Sequence, residues 1–213
     1  MKFDVLTLFP EMFEPIKQSI IGRAEKKNLL EINLINIRDF SKDKHHKADD
    51  TPFGGGPGMV MTAQPIFDAL NSIDAQNKKA IYMSPRGSVL NQQKIEELVE
   101  TDEVVILCGH YEGVDQRVLD HFNMEEISIG DYILTGGELP AMVLIDSVAR
   151  FIPEVLGNHQ STSDESIYSG LLECNQYTKP RNYEGLDVPE VLTNGNHKLI
   201  HLWQYENALE LTK

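Results

Sequence analysis

Two short stretches hold most of the residues able to do chemistry. The first is Cys108-Gly109-His110-Tyr111-Glu112-Gly113-Val114-Asp115-Gln116-Arg117. The second is Ile129-Gly130-Asp131-Tyr132-Ile133-Leu134-Thr135-Gly136-Gly137-Glu138-Leu139-Pro140. Each follows a strand-like run, Val104-Val105-Ile106-Leu107 and Glu126-Ile127-Ser128-Ile129. Glycine at the end of a strand lets the chain turn sharply or lets a ligand touch backbone. Strand ends that deliver such loops are where open α/β sheets bind ligands. A single glycine turn is equally well explained as a plain strand-to-helix connection. Two together, with aromatics and carboxylates inside them, favour a binding cleft. Tyrosines 111 and 132 suit stacking on a flat ring, and packing between elements is their alternative use.

The elements around these loops alternate. Strands are expected over 5–8, 31–37, 80–83, 103–108 and 126–129, and helices within 11–28 and over 64–73, 92–99, 114–122 and 138–151. Residues 31–37 alternate polar with apolar side chains, the period of a half-buried strand. Asn91 is placed to cap the helix after it, and Ser84-Pro85-Arg86-Gly87 reads as a turn. Residues 41–61 lack periodicity and form a long loop, a length usually found in functional or disordered segments. Strands alternating with helices predict an α/β fold, a mostly parallel sheet with helices on both faces, over residues 1–156. Residues 157–170, rich in Ser, Thr, Asn and Asp, read as a flexible linker. A small helical domain over 171–213 follows, in which Leu199, Leu202, Trp203, Leu209 and Leu211 recur at near-helical spacing and Trp203 is expected in the core.

Composition narrows the function classes. The chain has 213 residues with 41% apolar, enough for a sizeable core. No run of 18 apolar residues exists, so no membrane helix is expected. The two cysteines, Cys108 and Cys174, lack paired spacing and suit a reducing cytoplasm better than a zinc site or disulfide framework. The net charge of −14 argues against gripping nucleic acid by overall electrostatics. A local patch remains open: Arg38, Lys42, Lys44, His45, His46 and Lys47 form one cluster, although on charge alone a solvated loop explains it.

A third glycine stretch lies upstream, Asp49-Asp50-Thr51-Pro52-Phe53-Gly54-Gly55-Gly56-Pro57-Gly58-Met59. It could make a phosphate nest, but it lacks the Lys-Ser/Thr ending of a P-loop. These three motifs, in this order, resemble the bacterial tRNA (guanine-N1)-methyltransferases, the TrmD family, and the likeness runs from Met1 to about Trp203.

The resemblance implies a deep trefoil knot around the two glycine segments, a feature no sequence pattern would reveal. It implies a homodimer with the active site at the interface, tRNA as substrate and S-adenosyl-L-methionine as methyl donor. The donor-binding role is carried onto Ser84, Pro85, Gly109, Tyr111, Glu112, Gly113, Ile129, Tyr132, Ile133, Leu134, Gly136, Gly137 and Pro140. The glycine stretch at 54–58 becomes a loop facing a second subunit or the tRNA. Magnesium dependence is implied too, with no ligand cluster visible in the sequence. The acceptor implied is N1 of the guanosine immediately 3′ of the anticodon. It needs a base near N1 and a cation near O6. Arg150 matches the family's arginine, and Glu165 stands where its catalytic acid is usually aspartate, with Asp164 as the alternative base.

Several positions depart from the family pattern. His46 and His110 stand where arginine is frequent, Gln176 where histidine is frequent, and Lys179 replaces an arginine. Lysine still meets a phosphate but loses the bidentate fork. The resemblance also implies a basic segment beyond Lys213, so that this sequence is either naturally short or truncated there. A related knotted methyltransferase with another RNA target, and a catalytically silent RNA-binding dimer, are the competing readings.

Overall fold

The computed structural model describes residues 1–156 and 170–213. The chain divides after Gly157 into two compact units.

The first unit is built on five parallel strands: β1 (Lys2–Thr7), β2 (Glu31–Asn36), β5 (Lys79–Val89), β6 (Glu103–Cys108) and β7 (Glu125–Ser128), in the order β2-β1-β6-β5-β7. The central strand β6 is apolar at every position from Val104 to Cys108, and all five residues are fully buried. Unbroken burial of this kind belongs to a strand covered on both faces. Val104, Ile106 and Cys108 face one way, and Val105 and Leu107 the other. The first face carries α1 (Ser19–Lys26), α3 (Gln92–Val99) and α5 (Glu138–Ala149); the second carries α2 (Ala63–Ser72) and α4 (Gln116–His121). The expected fold class is therefore observed. The strand order is compatible with the knotted winding that the resemblance implies.

Local signals placed several element ends well. Asn91 caps α3, its side-chain oxygen accepting from the Lys94 amide. Asp115 caps α4 by accepting from the Arg117 amide, and the Arg117 guanidinium closes back onto the same carboxylate at 2.9 and 2.6 Å. Those hydrogen bonds, the side-chain one above all, hold the Asp115 carboxyl below its ordinary range.

Other expectations need correcting. Residues 84–87 do not end a short strand as a turn. Met83 and Ser88 both pair with Ile127 of β7, so the four residues between them form a bulge and β5 resumes to Val89. Backbone pairing on both sides carries the strand across a proline and a glycine that read locally as a stop. The one or two helices expected within 11–28 are a 3-10 turn at Pro10–Phe13 and the short α1. Inside the loop expected at 41–61, β3 (Asp49–Asp50) pairs antiparallel with β4 (Val60–Met61).

The amino-terminal end of the sheet is tied by charge. The Asp4 carboxylate, 1% exposed, meets Lys2 at 3.2 Å and Lys78 at 3.1 Å, and accepts from the Asn33 amide at 2.8 Å. Burial alone would push this carboxyl up; the hydrogen bonds from Asn33, Lys78 and Lys2 outweigh it and hold the group below its ordinary value of 3.8. A depressed folded-state value adds stability above the unfolded value, and that stability is lost as pH falls through the folded one. Asp4→Asn is expected to cost about 2 kcal/mol at neutral pH. It should also flatten the acid limb of the stability curve, as read by denaturant titrations between pH 3 and 7. An acid limb as steep as the parent's would contradict this.

The second unit carries a two-stranded hairpin, β8 (Asn182–Tyr183) with β9 (Leu186–Asp187), and one long helix, α6 (His197–Thr212). The hairpin was not expected. Trp203 is half-buried rather than fully enclosed, with its ring 6.1 Å from that of Tyr177, and Leu199 and Leu202 are exposed. The linker segment 157–169, including Asp164 and Glu165, lies outside the described residues.

Candidate cofactor site at the carboxyl ends of the strands

A cavity of about 250 Å³, open to solvent, lies where β5, β6 and β7 end. All thirteen residues assigned from the resemblance line it, from Ser84 and Pro85 on the β5 bulge to Pro140 in the first turn of α5. Bulges beside functional sites commonly re-aim side chains, and here the bulge turns Ser84 and Pro85 toward the opening.

The two glycine segments touch each other. The Gly137 amide donates to the Gly109 carbonyl at 2.8 Å, and His110 pairs with Gly136 as an antiparallel bridge. A methyl group on Gly137 would stand 2.7 Å from the Cys108 Cα and 2.8 Å from the Gly109 nitrogen. Only a residue without a side chain allows the backbones this close. Tyr82 lies beneath the first segment, with its hydroxyl 2.7 Å from where a Gly109 Cβ would be. Burial, with the Glu126 charge behind it, pushes the Tyr82 phenol up, so it stays protonated and neutral. Tyr111 holds a left-handed backbone at φ +57° and is half exposed at the cavity mouth. A non-glycine residue in that region stores strain, which tends to concentrate at ligand sites.

The upstream glycine stretch is stitched onto the first segment. Glu112 N donates to Met59 O, Met61 N to Gly113 O, and Asp115 N to Met61 O, all within 2.9–3.0 Å. A side chain on Gly58 would collide with the Glu112 carboxylate at 2.6 Å. The basic cluster also comes near. The Arg38 guanidinium lies 5.9 Å over the Phe9 ring, and that ring stands 4.9 Å from His110.

Some residues here were missed from sequence. Tyr82 was read as strand interior, and Glu138 and Thr7 were given no role. A carboxylate at the head of an otherwise continuous apolar helix, Glu138 before Leu139 to Ile145, was the available signal. Cys108 is an inert thiol, pushed well up by burial and then by the Glu138 charge.

The proposed catalytic pair is described at one member alone. Arg150 follows the last turn of α5, twelve residues from Glu138, or roughly 18 Å along the helix. Glu165 lies outside the described residues.

The described residues fit S-adenosyl-L-methionine by chemistry. Ile129, Leu134 and Pro140 supply apolar wall, tightly apposed glycine backbone can approach a base edge, and Glu112 supplies a carboxylate for a cationic tail. No group of three His, Cys, Asp or Glu among the described residues could hold a metal ion.

A doubly covered parallel sheet with glycine loops around a cavity at its carboxyl ends is the arrangement in which α/β proteins bind ligands. The family model described as tRNA (Guanine-1)-methyltransferase TrmD matches residues 1–213. The chain belongs to this family. It is 57% identical to a tRNA (guanine-N(1)-)-methyltransferase of Ruminiclostridium cellulolyticum, over 100% of this chain and 93% of that one. It is 54% identical to the protein of that name from Finegoldia magna, over 100% and 92%, and 50% identical to that from Clostridioides difficile, over 100% and 94%.

Proposed function

We propose that this chain moves a methyl group from S-adenosyl-L-methionine to N1 of the guanosine immediately 3′ of a tRNA anticodon, and so protects the reading frame. Family membership supports the reaction. The observation that carries the site is the lining of one strand-end cavity by all thirteen assigned residues.

When bound, the donor supplies an electrophilic methyl on a sulfonium. The chain orients it: Ile129, Leu134 and Pro140 wall the adenine, Ser84 and the glycine segments meet its polar edges, and Glu112 meets the ammonium of its tail. Guanine N1 carries a proton at neutral pH and is a weak nucleophile. The Glu165 carboxylate would take that proton as the new N–C bond forms and the methyl–sulfur bond breaks, leaving a neutral thioether, and the Arg150 guanidinium would meet the negative charge that develops on O6. Glutamate where the family usually has aspartate keeps the base and lengthens its reach by one methylene.

The distance along α5 supports an arginine supplied by a second copy. At roughly 18 Å from Glu138, Arg150 is poorly placed for its own cavity. Helix α5 is apolar around much of its circumference, yet Leu139 and Val143 are exposed on it. Apolar faces of that kind are covered when a second copy docks. The proposed enzyme is a homodimer in which Arg150 and Glu165 of one copy act on the cavity of the other. The basic cluster at 38–47, linked to His110 through Phe9, offers a local surface for RNA phosphates despite the net negative charge. Magnesium dependence, which the resemblance implies, stays part of this reading, and no group of three His, Cys, Asp or Glu among the described residues could hold the ion. No helix among them is long and apolar enough to cross a membrane, and a cytoplasmic setting is part of this reading.

The test is transfer of labelled methyl from S-adenosyl-L-methionine into unmodified tRNA, followed by nuclease digestion and mass spectrometry. 1-Methylguanosine as the product supports the reading. A methylated base other than guanine would replace it with another RNA target, and no transfer despite donor binding would favour a silent RNA-binding dimer.

A further inference from the structure

Glu138 is fully buried, and its carboxyl group is met by a threonine and a histidine rather than by lysine or arginine. Its Oε1 accepts from the Thr7 hydroxyl at 2.6 Å, and its Oε2 lies 2.7 Å from His110 Nε2. The Thr7 hydroxyl accepts in turn from the Phe9 amide at 2.9 Å, so its own proton is committed to Glu138. The three side chains come from three places: the end of β1, the first glycine segment, and the start of α5 directly after the second segment. Gly136 is confined by the same pair, since a Cβ there would collide with His110 Nε2 and stand 2.6 Å from Glu138 Oε2.

A buried carboxylate is costly unless its lone pairs are filled. Retaining one where an apolar residue would pack as well calls for a task beyond stability. Its place at the amino-terminal end of α5 offsets part of the cost through the helix dipole. His110 is held from further directions as well. Its amide donates to Met61 Sδ at 3.2 Å and its ring packs 4.9 Å from Phe9. The imidazole is therefore a strut with one edge on the cavity and the other on a buried acid.

We propose that Glu138 and His110 are positioning residues: their bridge, anchored on Thr7, sets the spacing of the two glycine segments that hold the methyl donor. The inference rests on the donor-binding reading of the cavity. The bridge acts on donor binding rather than on the transfer step, because it ties together the two segments that line the donor cavity. A charge-assisted hydrogen bond of this kind, when lost, is expected to weaken donor binding by about tenfold to a hundredfold.

The test uses His110, whose side chain is partly exposed at 15%, so that its replacement spares the core. S-adenosyl-L-methionine affinity is measured by calorimetry for the parent, His110→Ala and His110→Gln, beside thermal melting and steady-state kinetics. Glutamine places an amide donor near the position of Nε2. The expected result is a donor Kd and KM raised about tenfold or more in His110→Ala, kcat at saturating donor within about threefold of the parent, and affinity largely restored in His110→Gln. A His110→Ala protein that binds the donor like the parent overturns the inference. So does a loss that His110→Gln fails to restore while melting stays unchanged, since that describes a ring contact and not a bridge. A parent that does not bind the donor at all fails the reading beneath it, and the inference falls with that reading.

Discussion

Arg150→Ala is expected to lower methyl transfer by about a hundredfold or more while leaving donor affinity unchanged. The acceptor nitrogen loses a proton as it gains a methyl, so negative charge spreads onto O6 in the transition state and not in the bound ground state. A guanidinium aimed at that oxygen lowers the barrier without tightening donor binding, and removing one such donor typically costs 10²–10³ in rate. Position adds a sharper test. Arg150 stands twelve residues down α5 from Glu138, and in the dimer proposed above the arginine serving a given cavity belongs to the second copy. Mixing Arg150→Ala with a donor-blind variant such as Gly137→Ala should therefore restore activity to about a quarter of the parent level, since about half of the dimers are mixed and half of their sites work. Each mixed dimer keeps one intact cavity facing one intact arginine. Mixed dimers as inactive as either variant alone would place Arg150 in its own copy's cavity.

Gly137→Ala should abolish measurable donor binding. The added methyl would lie 2.7 Å from the Cys108 Cα and 2.8 Å from the Gly109 nitrogen. Both neighbours are backbone, and Cys108 ends the fully buried central strand, so no flexible side chain can yield. Relief must come from parting the two segments, which breaks the 2.8 Å hydrogen bond from the Gly137 amide to Gly109 and opens the cavity wall. Overpacking of this kind costs roughly 1–3 kcal/mol. The protein should remain folded by circular dichroism, melt several degrees lower, and show donor Kd weakened more than about a hundredfold, given how steeply affinity falls with misplacement of about 1 Å. Parent-like affinity would mean that the donor does not depend on the contact between the segments.

The parts of this architecture set by local chemistry were legible in the sequence. Strand β6 is apolar without interruption, Asn91 precedes a helix it caps, and glycines 109, 113, 136 and 137 stand at strand ends where a ligand would approach. What could not be read was decided by distant backbone. The bulge at 84–87 exists because β7 pairs on both sides of it, while Pro85 and Gly87 read locally as a turn. The docking of residues 58–61 on residues 112–115 rests on amide-to-carbonyl bonds that carry no side-chain signature. Glu138 at a helix start reads as an exposed charge favoured by the dipole; only the fold reveals Thr7 and His110 waiting for it. The α6 stripe shows the reverse error. Its spacing suggested a fully buried Trp203, whereas in this small unit Leu199 and Leu202 stay exposed and the indole is only partly enclosed.

The most direct measurement is methyl transfer to two tRNA transcripts that differ at one nucleotide, guanosine or adenosine immediately 3′ of the anticodon, with the product mapped by mass spectrometry. Methylation of the guanosine transcript alone, at N1 of that residue, is the predicted result. Equal methylation of both transcripts, or a methyl group at another position, would contradict the account.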